Sequence, residues 1–231
     1  MSLKTINDIE NIKGKKVVVR ADLNVPTEDG KITDNSRIER FAPTAKLLSD
    51  KGAKVIIITH FGRPKGKKLP EFSVAFMKDS LSKAIGKPVE FVDDTIGEKV
   101  EDTISKMNDG DIILLENVRF YAEEEANDAE FSKKLASLGE IFVNDAFSTS
   151  HRAHASTEGI TKYLPSYAGL LMEEEINALT KALENPAHPA IAIVGGSKVS
   201  TKLAVLENIT KKVDALVIGG AMANTFLLAQ G

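Results

Sequence analysis

KVIIITHF (54–61) is a run of branched apolar residues in which no polar side chain interrupts until Thr59 and His60. A strand with one wet face alternates apolar and polar residues; a run apolar on both faces belongs to a strand covered on both sides, as in parallel sheets. Working outward, helix-period segments flank this run at 37–50 and 73–85. The same kind of run recurs as VVVRADL (17–23), PVEFVD (88–93), DIILLENV (111–118), EIFVNDAF (140–147), AIAIVGG (190–196) and ALVIGG (215–220). Helical patterns separate them near 97–107, 128–138, 171–184 and 200–211. This alternation predicts an α/β fold, a doubly wound, Rossmann-like parallel sheet with helices on both faces. The first helix carries start and stop signals. Ser36 with Glu39 reads as a capping box, Arg37 lies in the first turn, and Gly52 is a plausible C-cap.

Two prolines in ENPAHPA (184–190) interrupt the pattern after a long amphipathic helix, and the βα rhythm then restarts. The expected division is a first domain over 1–170, an interdomain helix and hinge over 171–188, and a second domain beginning at 189. Residues 189–231 supply only two strands and part of a last helix, TFLLAQG. Two parallel strands do not make a stable open sheet with both faces covered. The second α/β domain is therefore expected to be truncated, and the chain to be a fragment.

At 231 residues, 42% hydrophobic and 27% charged, the composition is that of a soluble globular protein. There is no cysteine, which excludes disulfides and thiolate metal sites and suits a reducing, cytoplasmic setting. No run approaches the length of a membrane span, so no membrane partner is expected. A net charge of −3 argues against a nucleic-acid partner, because general phosphate binding needs a broad basic excess.

Basic chemistry must then be local, and the arginines say where. Of 30 basic side chains only six are arginine, a rigid fork suited to carboxylates and phosphates. Ligands of open α/β sheets gather beyond the carboxyl ends of the strands. Those ends here are ADLN (21–24), THFGRP (59–64), ENVRF (116–120) and NDAFSTSHRAHAS (144–156). They bring Arg63, Arg119, Arg152 and His60 to one predicted rim, where Arg37 joins them, with Asp22 and Asn24 as hydroxyl partners. Such an inventory suits a small, multiply anionic, hydroxylated ligand. A single surface arginine is usually no more than an ion-pair residue; five of six on one edge, counting Arg20 at the end of the VVVRADL run, is not that pattern.

A second constellation is IAIVGGSKVSTK (191–202), a strand running into Gly195 and Gly196 and then toward a helix. Glycines let a phosphate approach the backbone, and a helix N-terminus offers free N–H donors. Lys198 and Lys202, one turn apart on that helix, could both reach phosphate oxygens. LVIGGAMANTF (216–226) repeats the scheme at Gly219 and Gly220. Neither stretch has Walker A or G-x-G-x-x-G spacing. His154 and His188 lack partners at metal-ligand spacing, so no metal site is expected. Glu123, Glu124 and Glu125 read as solvated charge at a helix end.

RADLNVP, THFGRPKG, LLENVRF, NDAFSTSHRAHAST and VGGSKVSTK, in this order along the whole chain, resemble phosphoglycerate kinase. The resemblance implies two doubly wound domains that close during reversible phosphoryl transfer between 1,3-bisphosphoglycerate and ADP. It implies that Asp22, Asn24, Arg37, His60, Gly62, Arg63, Arg119 and Arg152 hold the phosphoglycerate, with Arg20 in the basic patch. It further implies that Arg37 and Lys198 are catalytic. Gly195, Gly196, Lys198, Lys202, Gly219 and Gly220 would serve ADP or ATP with Mg2+, whose protein ligand would lie outside this chain. A monomer is expected. Departures from the family's commonest pattern are Ser148, Ser150, Ser197, Thr201 and Ala221. The other function classes are a catalytically silent phosphoglycerate-binding fragment and an unrelated Rossmann-like nucleotide binder. The first βα turn lacks the Gly-rich fingerprint that the latter needs.

Overall fold

A computed structural model describes residues 3–184 and 186–231. After β1 (Lys16–Arg20) come a small hairpin, β2 (Thr27–Glu28) and β3 (Lys31–Ile32), and then α1 (Ser36–Asp50) and β4 (Lys54–Ile58). Next are α2 (Lys78–Ile85), β5 (Glu90–Val92), α3 (Glu98–Lys106), β6 (Ile112–Leu115), α4 (Ala122–Glu125), α5 (Ala129–Ser137), β7 (Ile141–Asn144) and β8 (Ser166–Ala168). Outside the hairpin these strands form one six-stranded sheet in the order β5-β6-β4-β1-β7-β8, parallel throughout. The predicted strands are all present, and the hairpin and β8 are additional.

Alternate side chains of each strand enter different cores, which is why the runs are apolar on both faces. Val17, Val19, Val55, Ile57, Ile112, Leu114, Ile141 and Val143 pack with Ile38, Phe41, Ala45 and Leu48 of α1 and Leu81 and Ile85 of α2. On the other face Val18, Ile56, Ile58, Ile113, Leu115 and Phe142 meet Val100 and Ile104 of α3 and Phe131 and Leu135 of α5. A one-residue slip in any strand would exchange these two sets.

The capping box expected for α1 does not form. Asp34 takes both the backbone N–H and the hydroxyl of Ser36, at 2.7 and 2.5 Å, so Ser36 becomes the first helical residue and Asn35 the N-cap. At the other end Gly52 follows the C-cap Lys51 with φ +81° and donates its N–H to the Ser49 carbonyl, as the sequence suggests.

The described residues divide into two compact units, one up to Glu173 and one from Glu174 to Gly231, with α6 (Leu170–Leu183) spanning the division. In the second unit β9 (Ile191–Gly195) and β10 (Ala215–Gly219) form a parallel pair accompanied by α7 (Leu203–Ile209) and α8 (Met222–Gln230). Apolar side chains are exposed on this pair and its helices, among them Ile193 at 77% and Leu228 at 82%. Among the described residues no helix is long and apolar enough to cross a membrane.

Candidate functional site

The strand exits rich in arginine belong to β6, β4, β1 and β7, which are neighbours in the sheet. Register makes them level: Arg20 pairs with Ile58 on one side and with Asn144 on the other. From β1 the chain leads through α1 to β4, whereas β7 is flanked on its other side by β8. That divergence opens the crevice in which ligands of doubly wound sheets bind.

Side chains stitch these exits together. Buried Thr59 accepts the Leu23 N–H at 3.2 Å and donates to the Ala21 carbonyl at 3.0 Å. Asn24 accepts the Gly62 N–H at 2.9 Å, tying the loop after β1 to the loop after β4. Asn117, fully buried, accepts the Phe61 and Arg119 N–H groups and donates to the Phe61 and Phe72 carbonyls at 2.8 and 2.9 Å. Gly62 has φ +59°, and a Cβ there would run into the Phe72 ring, so only glycine fits. Its carbonyl accepts Arg119 Nη1–H at 2.9 Å.

His60 is 5% exposed, and its pKa is pushed down to about 2 by burial, with Arg20 and Arg119 adding to the fall. Arg20 Nη2 lies 3.1 Å from His60 Nδ1. A guanidinium only donates, so Nδ1 accepts and the imidazole proton sits on Nε2. Arg20 itself is 1% exposed. Its Nε–H donates to Ser156 Oγ at 2.8 Å and Nη1–H to the Ala21 carbonyl. Burial lowers its pKa, and Glu124 opposes that. Glu124, read from the sequence as solvated charge, is 0% exposed. This is a correction: its carboxylate accepts the Ser156 N–H at 2.9 Å and hydroxyl at 2.5 Å, from a loop far along the chain.

On the solvent side Asp22 accepts hydrogen bonds from Arg37 Nη1–H and the Ser148 hydroxyl, and the Asn24 N–H at 3.2 Å. Burial raises its pKa, but the Ser148 hydrogen bond and the Arg37 charge outweigh this, and the net direction is down. Arg37 is about half exposed beyond this ion pair. Arg119 is buried, with its Nε 3.6 Å from Glu125. Burial lowers its pKa, and the charges of Arg152 and Arg63 lower it further. These effects put Arg20, Arg119 and Arg152 within electrostatic range of His60, and Arg63 and Arg152 within range of Arg119. Arg63 is exposed and has no ion-pair partner among the described residues. The rim can thus grip an anion from several sides while Asp22 and Asn24 offer polar partners for hydroxyls. As site residues Ser148, Asn117, Ser156 and Glu124 escaped the sequence reading, which took Ser148 only as a departure and Glu124 as solvated charge.

In the second unit the two Gly-Gly pairs lie side by side, Gly195 opposite Gly219 in the β9–β10 register. A Cβ on Gly220 would come 3.1 Å from the Gly196 backbone N and O, so glycine permits the approach. Met222 donates its N–H to the Gly196 carbonyl at 2.8 Å. The expected pairing of Lys198 and Lys202 on one helix is not observed. α7 begins only at Leu203, with Lys202 as its N-cap and Lys198 in the preceding loop. Lys202 still reaches the loop, its Cε being 3.1 Å from where a Gly196 Cβ would stand. Among the described residues no group of three or more His, Asp or Glu side chains could hold a metal ion.

Comparison with known proteins fits this arrangement. The family model described as phosphoglycerate kinase matches residues 6–231. The phosphoglycerate kinase of Granulibacter bethesdensis is 57% identical over 231 residues, covering 100% of this chain and 58% of that protein. That of Mesorhizobium japonicum is 57% identical over 230 residues with the same shares. Among solved structures, phosphoglycerate kinase from Coxiella burnetii superposes with a TM-score of 0.89 at 45% identity, covering 100% of this chain and 58% of that one. The enzyme from Pyrococcus horikoshii OT3 gives 0.86 at 36% identity, covering 99% of this chain and 58% of that one. The chain therefore spans 58% of the length of these relatives.

Proposed function

The chain belongs to the phosphoglycerate kinase family, and from that premise we propose that its arginine rim binds 3-phosphoglycerate or 1,3-bisphosphoglycerate. The glycine edge of the second unit takes ADP or ATP, which arrives as its Mg2+ complex. The reaction is the reversible transfer of the acyl phosphate of 1,3-bisphosphoglycerate to ADP, giving 3-phosphoglycerate and ATP in glycolysis, in the cytoplasm. The protein acts as a monomer.

The observation that carries this reading is the concentration of Arg37, Arg63, Arg119 and Arg152, with neutral His60, over four adjacent strand exits in a chain of net charge −3. Arginine forks suit the phosphate and the carboxylate of the ligand. His60 Nε2–H adds a neutral donor, and Asp22 and Asn24 receive the hydroxyl. Transfer breaks the bond between the acyl oxygen and phosphorus and forms one from phosphorus to a terminal ADP oxygen. The leaving group is a carboxylate, which needs no proton at neutral pH, so catalysis is positioning and charge neutralisation. Arg37, half exposed beyond its ion pair with Asp22, and Lys198 are the proposed catalytic pair. Lys202 neutralises nucleotide phosphates.

Phosphoglycerate binding is the part of this reading that the chain itself can test. Calorimetric titration with 3-phosphoglycerate should give saturable one-to-one binding, with ADP titrated separately as the comparison. Tight ADP binding without phosphoglycerate binding would contradict it.

A further inference from the structure

Behind His60 lies a file of three buried side chains. Glu124 accepts both the backbone N–H and the hydroxyl of Ser156, at 2.9 and 2.5 Å. With its proton given to Glu124, the Ser156 oxygen is left to accept Arg20 Nε–H at 2.8 Å. The other arms of the guanidinium end on the Ala21 carbonyl and on His60 Nδ1. Each link has a single permitted direction, because a carboxylate only accepts and a guanidinium only donates. The order cannot reverse without leaving a buried group unpartnered, which is costly.

We propose that Glu124, Ser156 and Arg20 are positioning residues that lock His60 in its Nε2–H tautomer, leaving one N–H donor on the side of the ring away from Arg20 for the ligand. This inference rests on the phosphoglycerate reading of the rim. It makes Arg20 a residue that acts through His60 and does not itself touch the ligand. It also accounts for a carboxylate held fully buried just behind a site for anions: Glu124 offsets the buried charge of Arg20, and Ser156 between them keeps the pairing directional.

The test begins with the unaltered chain without ligand, by long-range nitrogen–proton correlation of the His60 ring at neutral pH. Nδ1 is expected bare and Nε2 protonated; an Nδ1–H tautomer or an imidazolium would overturn the proposal. Ser156→Ala then breaks the file at its middle. It should admit the Nδ1–H tautomer and weaken 3-phosphoglycerate binding by about tenfold, the order of one hydrogen bond. An unchanged His60 spectrum with unchanged affinity would also overturn it. Should Ser156→Ala fail to fold, the spectrum of the unaltered chain still decides. Loss of phosphoglycerate binding in the unaltered chain would fault the functional reading alone, since the tautomer is read without ligand.

Discussion

Set among Arg20, Arg119 and Arg152 and nearly shut off from water, His60 resists protonation down to about pH 2, against an ordinary value of 6.5. The consequence for stability has a definite sign. Below pH 6.5 the unfolded chain takes up a proton on this ring and the native chain does not, so His60 favours unfolding increasingly as pH falls from 6.5 toward 2. Its contribution is fully present above 6.5. Asp22, whose folded pKa is also lowered, acts in the same direction but below its ordinary 3.8. Between pH 4 and 6.5 His154, whose pKa burial also lowers, adds to this slope, and Asp145, whose pKa burial raises, opposes it, so the share of His60 is read as a difference between variants. Urea unfolding across that range should show a shallower loss of stability for His60→Gln than for the unaltered chain; parallel curves would mean that His60 titrates normally in the native state. At this scale the sequence was legible where chemistry is rare, as with six arginines among 30 basic residues. It was illegible where burial decides. Glu124 sits between two other glutamates, and nothing nearby says that Ser156 will cover it.

Elements carry the site only because their exits are tied to one another, and Asn117 is the clearest tie. Three of its four side-chain hydrogen bonds join the loop after β6 to the segment after β4, and it has no exposed surface. Asn117→Ala would leave the part-buried Phe61 and Phe72 carbonyls without this donor, costing about 1–3 kcal/mol in all, and would loosen Gly62 and Arg119. Denaturant unfolding with a matched 3-phosphoglycerate titration checks this: both stability and affinity should fall, and a loss of neither would remove Asn117 from the scaffold. The long apolar strands were readable because they are buried on two faces. β8 was not, being only three residues at an edge, Ser166–Ala168, two of them half-buried. The β2–β3 hairpin did leave a signal in Asp29-Gly30, which adopt φ +50° and +72°. The Ser36–Glu39 box failed because Asp34 competes for the same serine, and α7 starts late, taking Lys198 off the helix.

Over the whole molecule, a net charge of −3 coexists with a rim of converging guanidinium groups on the first unit and a glycine-lined edge on the second. The polar surface at the opposite, amino-terminal end of the six-stranded sheet, lined by Lys13, Asp50, Lys87 and Asp109, alternates in charge and offers no comparable cationic focus. A multiply charged anion should thus discriminate sharply between the two ends. The most direct measurement is the backbone amide spectrum of the chain titrated with 3-phosphoglycerate. Shifts confined to residues 22–24, 36–38, 60–63, 117–119 and 148–152, moving together with one dissociation constant, are the predicted result. Saturable binding with the largest shifts at the amino-terminal end of the sheet or in the second unit, or no shifts at all, would contradict it.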